Sequence, residues 1–140
     1  MARKSDPFSI RLSQPIDELV RAEARRTRRS RGAIAEALID EAARTRIFPG
    51  LAFRGRDWGR RPWIVGAGLD VWELIAAYKD LGSIDRLASE LDISERDVRL
   101  ALAYYERFPD EIDEAIADNR SSLDELRREL PFAEVVEVEA

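Results

Sequence analysis

The chain has 140 residues, 45% apolar and 36% charged, with a formal net charge of −5; that size allows one domain or two small ones, and the composition is neither collagen-like nor disordered. It has no cysteine and no histidine, which excludes disulfide frameworks, thiolate metal sites, cysteine nucleophiles, serine–histidine triads and the usual zinc centres. No apolar run approaches the ~20 residues of a membrane helix, and no apolar stretch follows Met1-Ala2-Arg3-Lys4, so the expectation is a cytoplasmic protein with no membrane contact.

The net charge hides a division. Residues 1–62 hold 15 Lys+Arg against 8 Asp+Glu (+7), while residues 63–140 hold 8 against 20 (−12). Such asymmetry points to a nucleic-acid-facing end and an end that faces something else; the alternative is a basic segment docked on the acidic one.

From Pro7 to Ser13 apolar and polar residues alternate, so Phe8, Ile10 and Leu12 share one strand face and Ser9, Arg11 and Ser13 the other. Pro15 then opens a helix, with Asp17 and Glu18 in its first turn, running to Arg26 or Thr27. After the basic break Thr27–Gly32, Ser30 is placed to cap a second helix over 31–44, with Ile34, Leu38 and Ala42 along its apolar side. A lone strand leaves its backbone groups unpaired, and two such short helices bury too little alone. Two copies pairing their strands antiparallel solve both problems. The pooled Phe8, Ile10 and Leu12 become core, and Ser9, Arg11 and Ser13 form a ribbon face suited to the major groove. Arg28, Arg29, Ser30 and Arg31, at a helix start with free N–H groups, suit a backbone phosphate.

These residues, FSIRLS followed by RRSRGAIAEALIDEA, resemble a ribbon-helix-helix domain of the CopG/Arc-like kind found in bacterial antitoxins and small repressors.

Phe48-Pro49-Gly50 breaks the chain. Leu51–Arg54 and Arg61–Val65 read as a short hairpin turning at Gly55–Gly59, with Pro62 at an edge or strand start. Gly66-Ala67-Gly68 reads as a plain turn, not a nucleotide loop, because Val71 holds the third glycine position and no parallel βαβ unit follows. Asp70 and Glu73 cap a helix through Val71, Leu74, Ile75 and Tyr78. Ser83 caps a helix over 84–91, and Ser94 with Asp97 caps a longer one, giving a helix-turn-helix pattern with Leu87, Ala88 and Ile93 inside. Glu95 and Asp97 at the start of its last helix make it a poor DNA reader.

The segments RIFPGLAFRG, RRPWIVGAGLDVWELI and ALAYYERFPDEIDEAIADN resemble a winged helix-turn-helix domain of unassigned function that occurs in VapB-type antitoxins. With the first module, the resemblance covers nearly the whole chain. It implies a toxin partner, a ribonuclease of the PIN-like class blocked by direct contact, and repression of the shared operon.

Asp110, Glu111, Asp113 and Glu114 follow Pro109 at a helix start, where the dipole stabilises carboxylates; that reading outweighs a metal site. Trp63 and Trp72 are expected in the core, and Trp58 as an exposed contact. Ile112, Ile116, Asn119, Leu123, Leu126 and Leu130 are spaced like a heptad seam, although Ser122 and Glu125 read equally as a capping box that splits the stretch. The acidic, β-prone tail from Pro131 is either a frayed end or a segment that orders on a partner through Phe132, Val135 and Val136. Arg127 and Arg128 suit a carboxylate-lined toxin site.

The sequence therefore predicts a mainly α protein: residues 1–46 a ribbon-helix-helix domain for DNA binding and dimerisation, 47–120 a helix-turn-helix domain with a β-hairpin wing, and 121–140 a helix and acidic partner-binding tail. The expected function is a non-enzymatic antitoxin acting as a homodimer or higher even oligomer. Its expected partners are operator DNA and a PIN-like toxin, with no cofactor and no metal. A stand-alone repressor and a protein-interaction scaffold are the alternatives.

Overall fold

The computed structural model describes residues 3–57 and 59–129. The protein is mainly helical, with a small three-stranded antiparallel sheet, and its chain divides into two compact units between Ala42 and Ala43.

In the first unit, residues 3–13 are extended without forming a strand. A strand exists only through a ladder partner, and the described residues offer none to the segment from Pro7 to Ser13. Helix α1 (Gln14–Thr27) begins with Pro15 in its first turn and ends at Arg28, whose left-handed backbone (φ 55°) lets the Arg28 and Arg29 N–H groups close on Arg25 and Ala24 carbonyls. Helix α2 (Arg31–Ile47) is capped by the Ser30 hydroxyl, which accepts from the Ala33 N–H at 3.1 Å, as its sequence predicts. It runs three residues past the expected end at Arg44. Among the described residues of this unit only Val20 and Ile34 are buried. Leu38 and Ala42, expected with Ile34 on the apolar side of α2, are exposed while Ile34 is buried, so the described residues cover only the start of that side.

In the second unit, strands β1 (Leu51–Arg54) and β2 (Arg61–Ile64) pair antiparallel from Leu51↔Ile64 to Arg54↔Arg61, and β3 (Leu69–Asp70) adds to β2 through Trp63↔Asp70 and Ile64↔Leu69. Gly66–Gly68 form a turn, as the sequence predicts, but the third strand that follows it at Leu69–Asp70 is absent from the sequence reading. Two residues carry no periodicity, and Gly68 (φ 70°) folds them back onto β2. Pro62 belongs to the central strand rather than an edge strand. It is tolerated because β3 pairs only with residues 63 and 64, leaving Pro62 flanked by β1 alone.

Four helices follow the sheet, α3 (Val71–Leu81), α4 (Ile84–Leu91), α5 (Glu95–Arg107) and α6 (Pro109–Glu129); α3 and α5 pack against its strands, and α4 and α6 pack on those two helices. The Asp70 N–H donates to the Glu73 carboxylate at 2.8 Å, and Ser83 and Ser94 accept from the N–H groups of Arg86 and Asp97, so all three expected helix starts are capped. The core gathers Leu51, Ile64, Val71, Leu74, Ile75, Ala101, Tyr104, Ile112 and Ile116, and a smaller cluster of Leu87, Ala88 and Val98 holds α4 on α5. Each fully buried aliphatic side chain contributes ~1.5–3 kcal/mol, so this unit has a core of its own. Helix α6 is continuous. Ser122 returns its hydroxyl to the Asp118 carbonyl at 3.0 Å instead of capping a new helix.

No helix among the described residues is long and apolar enough to cross a membrane.

Candidate nucleic-acid interface

Two stretches of the first unit carry the residues expected to touch DNA. In the extended segment, Ser9, Arg11 and Ser13 are exposed, and the Arg11 side chain makes no hydrogen bond or ion pair among the described residues. The intervening Phe8 and Ile10 are also exposed, at 79% and 60%, and Leu12 is half-buried. A single copy therefore presents both faces of the segment to water.

The second stretch is the turn from α1 to α2. Arg28 is held in the left-handed conformation with its guanidinium exposed, and Arg29, Ser30 and Arg31 follow contiguously at the start of α2. Ser30 occupies the Ala33 N–H, and the Ile34 N–H bonds the Ser30 carbonyl. The Arg31 and Gly32 N–H groups lie ahead of these at the positive end of the helix dipole. Nothing lies within 4 Å of where a side chain on Gly32 would begin, so the backbone there is open to a phosphate oxygen.

Arg31, expected to contact a phosphate, is engaged within its own unit. Its guanidinium reaches Asp17 at 3.2 Å, and the same carboxylate takes a 2.7 Å hydrogen bond from Arg21. The hydrogen bond from Arg21, with the charges of Arg21 and Arg31, holds the Asp17 carboxyl below its ordinary value. Solvent screens an exposed pair of this kind, so Arg31 can exchange Asp17 for a phosphate at little cost. The described residues show no contact that brings Ser9, Arg11 or Ser13 to the turn; nearer the start of the chain, Lys4 reaches Glu36 of α2 in an exposed ion pair at 3.1 Å.

The expected partner-binding residues divide. Arg127 and Arg128 lie in the last turn of α6, where Arg127 reaches Asp124 at 4.0 Å and the Arg128 Nε donates to the Asp124 carbonyl at 3.4 Å. Phe132, Val135 and Val136 lie outside the described residues, as does Trp58. Trp63 is half-buried under the Arg54 guanidinium (4.5 Å to the ring), and Trp72 donates its indole N–H to Asp70.

The carboxylates after Pro109 serve the fold. Glu111 accepts hydrogen bonds from Arg44 at 2.7 Å and from the Tyr104 hydroxyl, and Arg44 also donates to that hydroxyl at 2.6 Å while lying 3.9 Å over the Phe108 ring. Burial raises the Tyr104 pKa well above its ordinary value, and the neighbouring Glu111 adds to this. Burial opposes the Arg44 charge, but the bonds to Glu111 and Tyr104 outweigh it and hold the group protonated. Asp113 accepts from Tyr105 at 2.7 Å and from Lys79 at 3.1 Å, and both bonds keep its carboxyl below the ordinary range. Two of the four carboxylates thus have basic and phenolic partners, and no group of three or more metal-ligating side chains occurs among the described residues. The Arg44 node is absent from the sequence reading because its members lie 60 and more positions apart; the adjacent tyrosines before Pro109 were its one local sign.

No protein-family model, no curated protein and no solved structure matches the chain.

Proposed function

We propose that the protein is the antitoxin of a type II toxin–antitoxin pair. Two copies pair the segments from Pro7 to Ser13 into a ribbon-helix-helix domain, read operator DNA through Ser9, Arg11 and Ser13, and clamp the flanking phosphates with Arg28, Arg29, Ser30 and Arg31. The second unit acts as a winged helix-turn-helix domain, and the end of α6 with the tail blocks a PIN-like ribonuclease by direct contact.

One observation carries the reading. The first unit buries only Val20 and Ile34 among its described residues, yet exposes Phe8, Ile10, Ile16, Leu19, Leu38 and Ile39. A helix pair with so much apolar surface and so little core is completed by a second copy. The alternation at Ser9, Arg11 and Ser13 then places polar side chains of both copies on the opposite face of the shared ribbon.

The test uses DNA from upstream of the protein's own reading frame. Arg11, Arg28, Arg29 and Arg31 place four cations per chain against the DNA, and the counterions they release give a slope of log affinity against log salt of about −7 per dimer. Arg11→Ala is expected to reduce discrimination between that DNA and a scrambled duplex by ~1–3 kcal/mol, whereas Arg29→Ala weakens both alike. Salt-independent binding, or none, transfers support to a protein-interaction scaffold. Removing residues 130–140 is expected to leave DNA binding intact and to weaken co-purification with the product of the adjacent reading frame; a chain that binds the operator but captures no neighbour is a stand-alone repressor.

A further inference from the structure

The second unit carries an acidic surface with one basic projection, the β1–β2 hairpin. Residues 54–61 hold four arginines, Arg54, Arg56, Arg60 and Arg61, against the single Asp57. The loop is drawn shut by its backbone. Gly55 adopts φ 112°, and a side chain there would start 2.4 Å from the Gly59 carbonyl oxygen, so only glycine fits. The Gly59 N–H donates to the Arg56 carbonyl at 2.8 Å, and the Arg60 guanidinium donates to the Phe53 and Gly55 carbonyls at 3.2 and 3.3 Å.

The four arginines are not equivalent. Arg54 is committed to the fold: it pairs with Asp70 at 2.7 Å and covers Trp63. Its charge and that of Asp70 cancel locally. Arg61 is half-buried, 6.0 Å from the Trp72 ring. Arg56, at the tip, is exposed and makes no side-chain bond among the described residues.

The other surface a helix-turn-helix would offer to DNA is acidic. Glu95 at the start of α5 lies beside the Asp85 carboxyl of α4 and pairs with Arg99 at 3.8 Å, and Asp97 lies against Gly66, where a side chain on the glycine would start 2.5 Å from its Oδ2. The strand Arg61–Ile64 alone spans ~10 Å, at ~3.3 Å per residue, between the hairpin loop and the turn that holds Gly66. The Debye length at physiological ionic strength is ~8 Å, so the acidic helix start does not cancel the field at the hairpin tip.

We propose that the hairpin tip, through Arg56 with Arg60 and Arg61 beside it, holds the phosphate backbone of duplex DNA, while the start of α5 stays out of the groove. The second unit then adds sequence-independent affinity and no base reading. This rests on the DNA-binding reading above and extends it to a surface outside the first unit.

The experiment measures binding of the full chain to a short random-sequence duplex, and to the upstream duplex, across a salt series. Arg56→Ala is expected to make the salt slope shallower by about 0.9 per chain and to weaken both duplexes by the same factor. Arg56→Glu should weaken both further, and Arg56→Lys should restore the parent slope. Arg56→Glu binding both duplexes with the parent's affinity and slope overturns the proposal. So does a charge reversal that leaves DNA binding unchanged and alters only sedimentation of the protein alone, which would assign the hairpin to the acidic surface of a second copy. A parent chain that binds neither duplex removes the DNA-binding reading itself; a parent that binds, with unaffected hairpin variants, removes the hairpin contact alone.

Discussion

In the second unit, Tyr104 is fully buried beneath Phe48 and Phe108, its hydroxyl is satisfied by Arg44 and Glu111, and the aliphatic side chains of α3, α5 and α6 close around it. In the first unit, two helices of comparable length bury one residue each, Val20 and Ile34, and Phe8 and Ile10 stand in water. Both units are built from capped helices of ordinary propensity. What separates them is where the partner of the apolar face lies: within the same unit for the second and, on the proposed function, in a second copy for the first. Local capping specifies a helix, but tertiary burial decides whether the helix is stable alone.

That contrast can be broken or sharpened. The largest effect is expected from Tyr104→Ala, which empties the centre of the second unit and should cost ~3–5 kcal/mol of unfolding free energy in a denaturant titration. Tyr104→Phe keeps the ring and leaves Arg44 and Glu111 to each other, so a loss of ~1–2 kcal/mol is expected. If the two variants destabilise equally, the hydrogen-bonded node, not the packing, carries the unit.

The counterpart in the first unit is Ile10→Ser. Burial of this side chain in a dimer is worth ~1.5–3 kcal/mol per copy, so the dissociation constant measured by sedimentation should rise at least a hundredfold while the second unit's denaturation midpoint stays put. A shift of that midpoint would mean that the residue supports the wrong unit.

The smallest effect concerns the edge of α5. The hydrogen bond with Asp85 raises the Glu95 carboxyl above its ordinary 4.5. A raised carboxyl contributes stability below its ordinary value, and that contribution is lost as pH rises through the raised value. At neutral pH the two carboxylates repel. Glu95→Gln should therefore raise the melting temperature slightly at pH 7 and flatten the stability change on the neutral side of pH 4.5; a lower melting temperature at pH 7 would contradict this.

Much of the fold is legible in the sequence because its signals are local. Ser83 and Ser94 mark helix starts that the structure places one residue on, and the hairpin ends at Arg54 and Arg61 follow from alternation and turn residues. The misses are of another kind. The two residues of β3 are too short for any period. The end of α2 depends on Arg44, Phe48 and Phe108, which meet only in three dimensions. Ser122 offers the same pattern for a cap and for a back-bond to Asp118, and only the surrounding helix decides between them.

The candidate interface was legible as chemistry rather than as geometry. Arg11 and the run from Arg28 to Arg31 are visible as exposed cations in a basic half, but the pairing of Arg31 with Asp17 depends on how α1 and α2 pack. In the hairpin the sequence reading singles out Trp58, which lies outside the described residues. Trp58 draws attention as the odd residue in its turn, whereas the arginines around it carry the charge.

Hydrogen exchange of the full chain, followed residue by residue over a dilution series, bears most directly on the requirement for a second copy. The account predicts that amides of residues 8–12, α1 and the first half of α2 are protected at high protein concentration and lose that protection on dilution, while those of α3 and α5 keep theirs throughout. Protection of residues 8–12 that persists at concentrations where sedimentation finds only a monomer would contradict it.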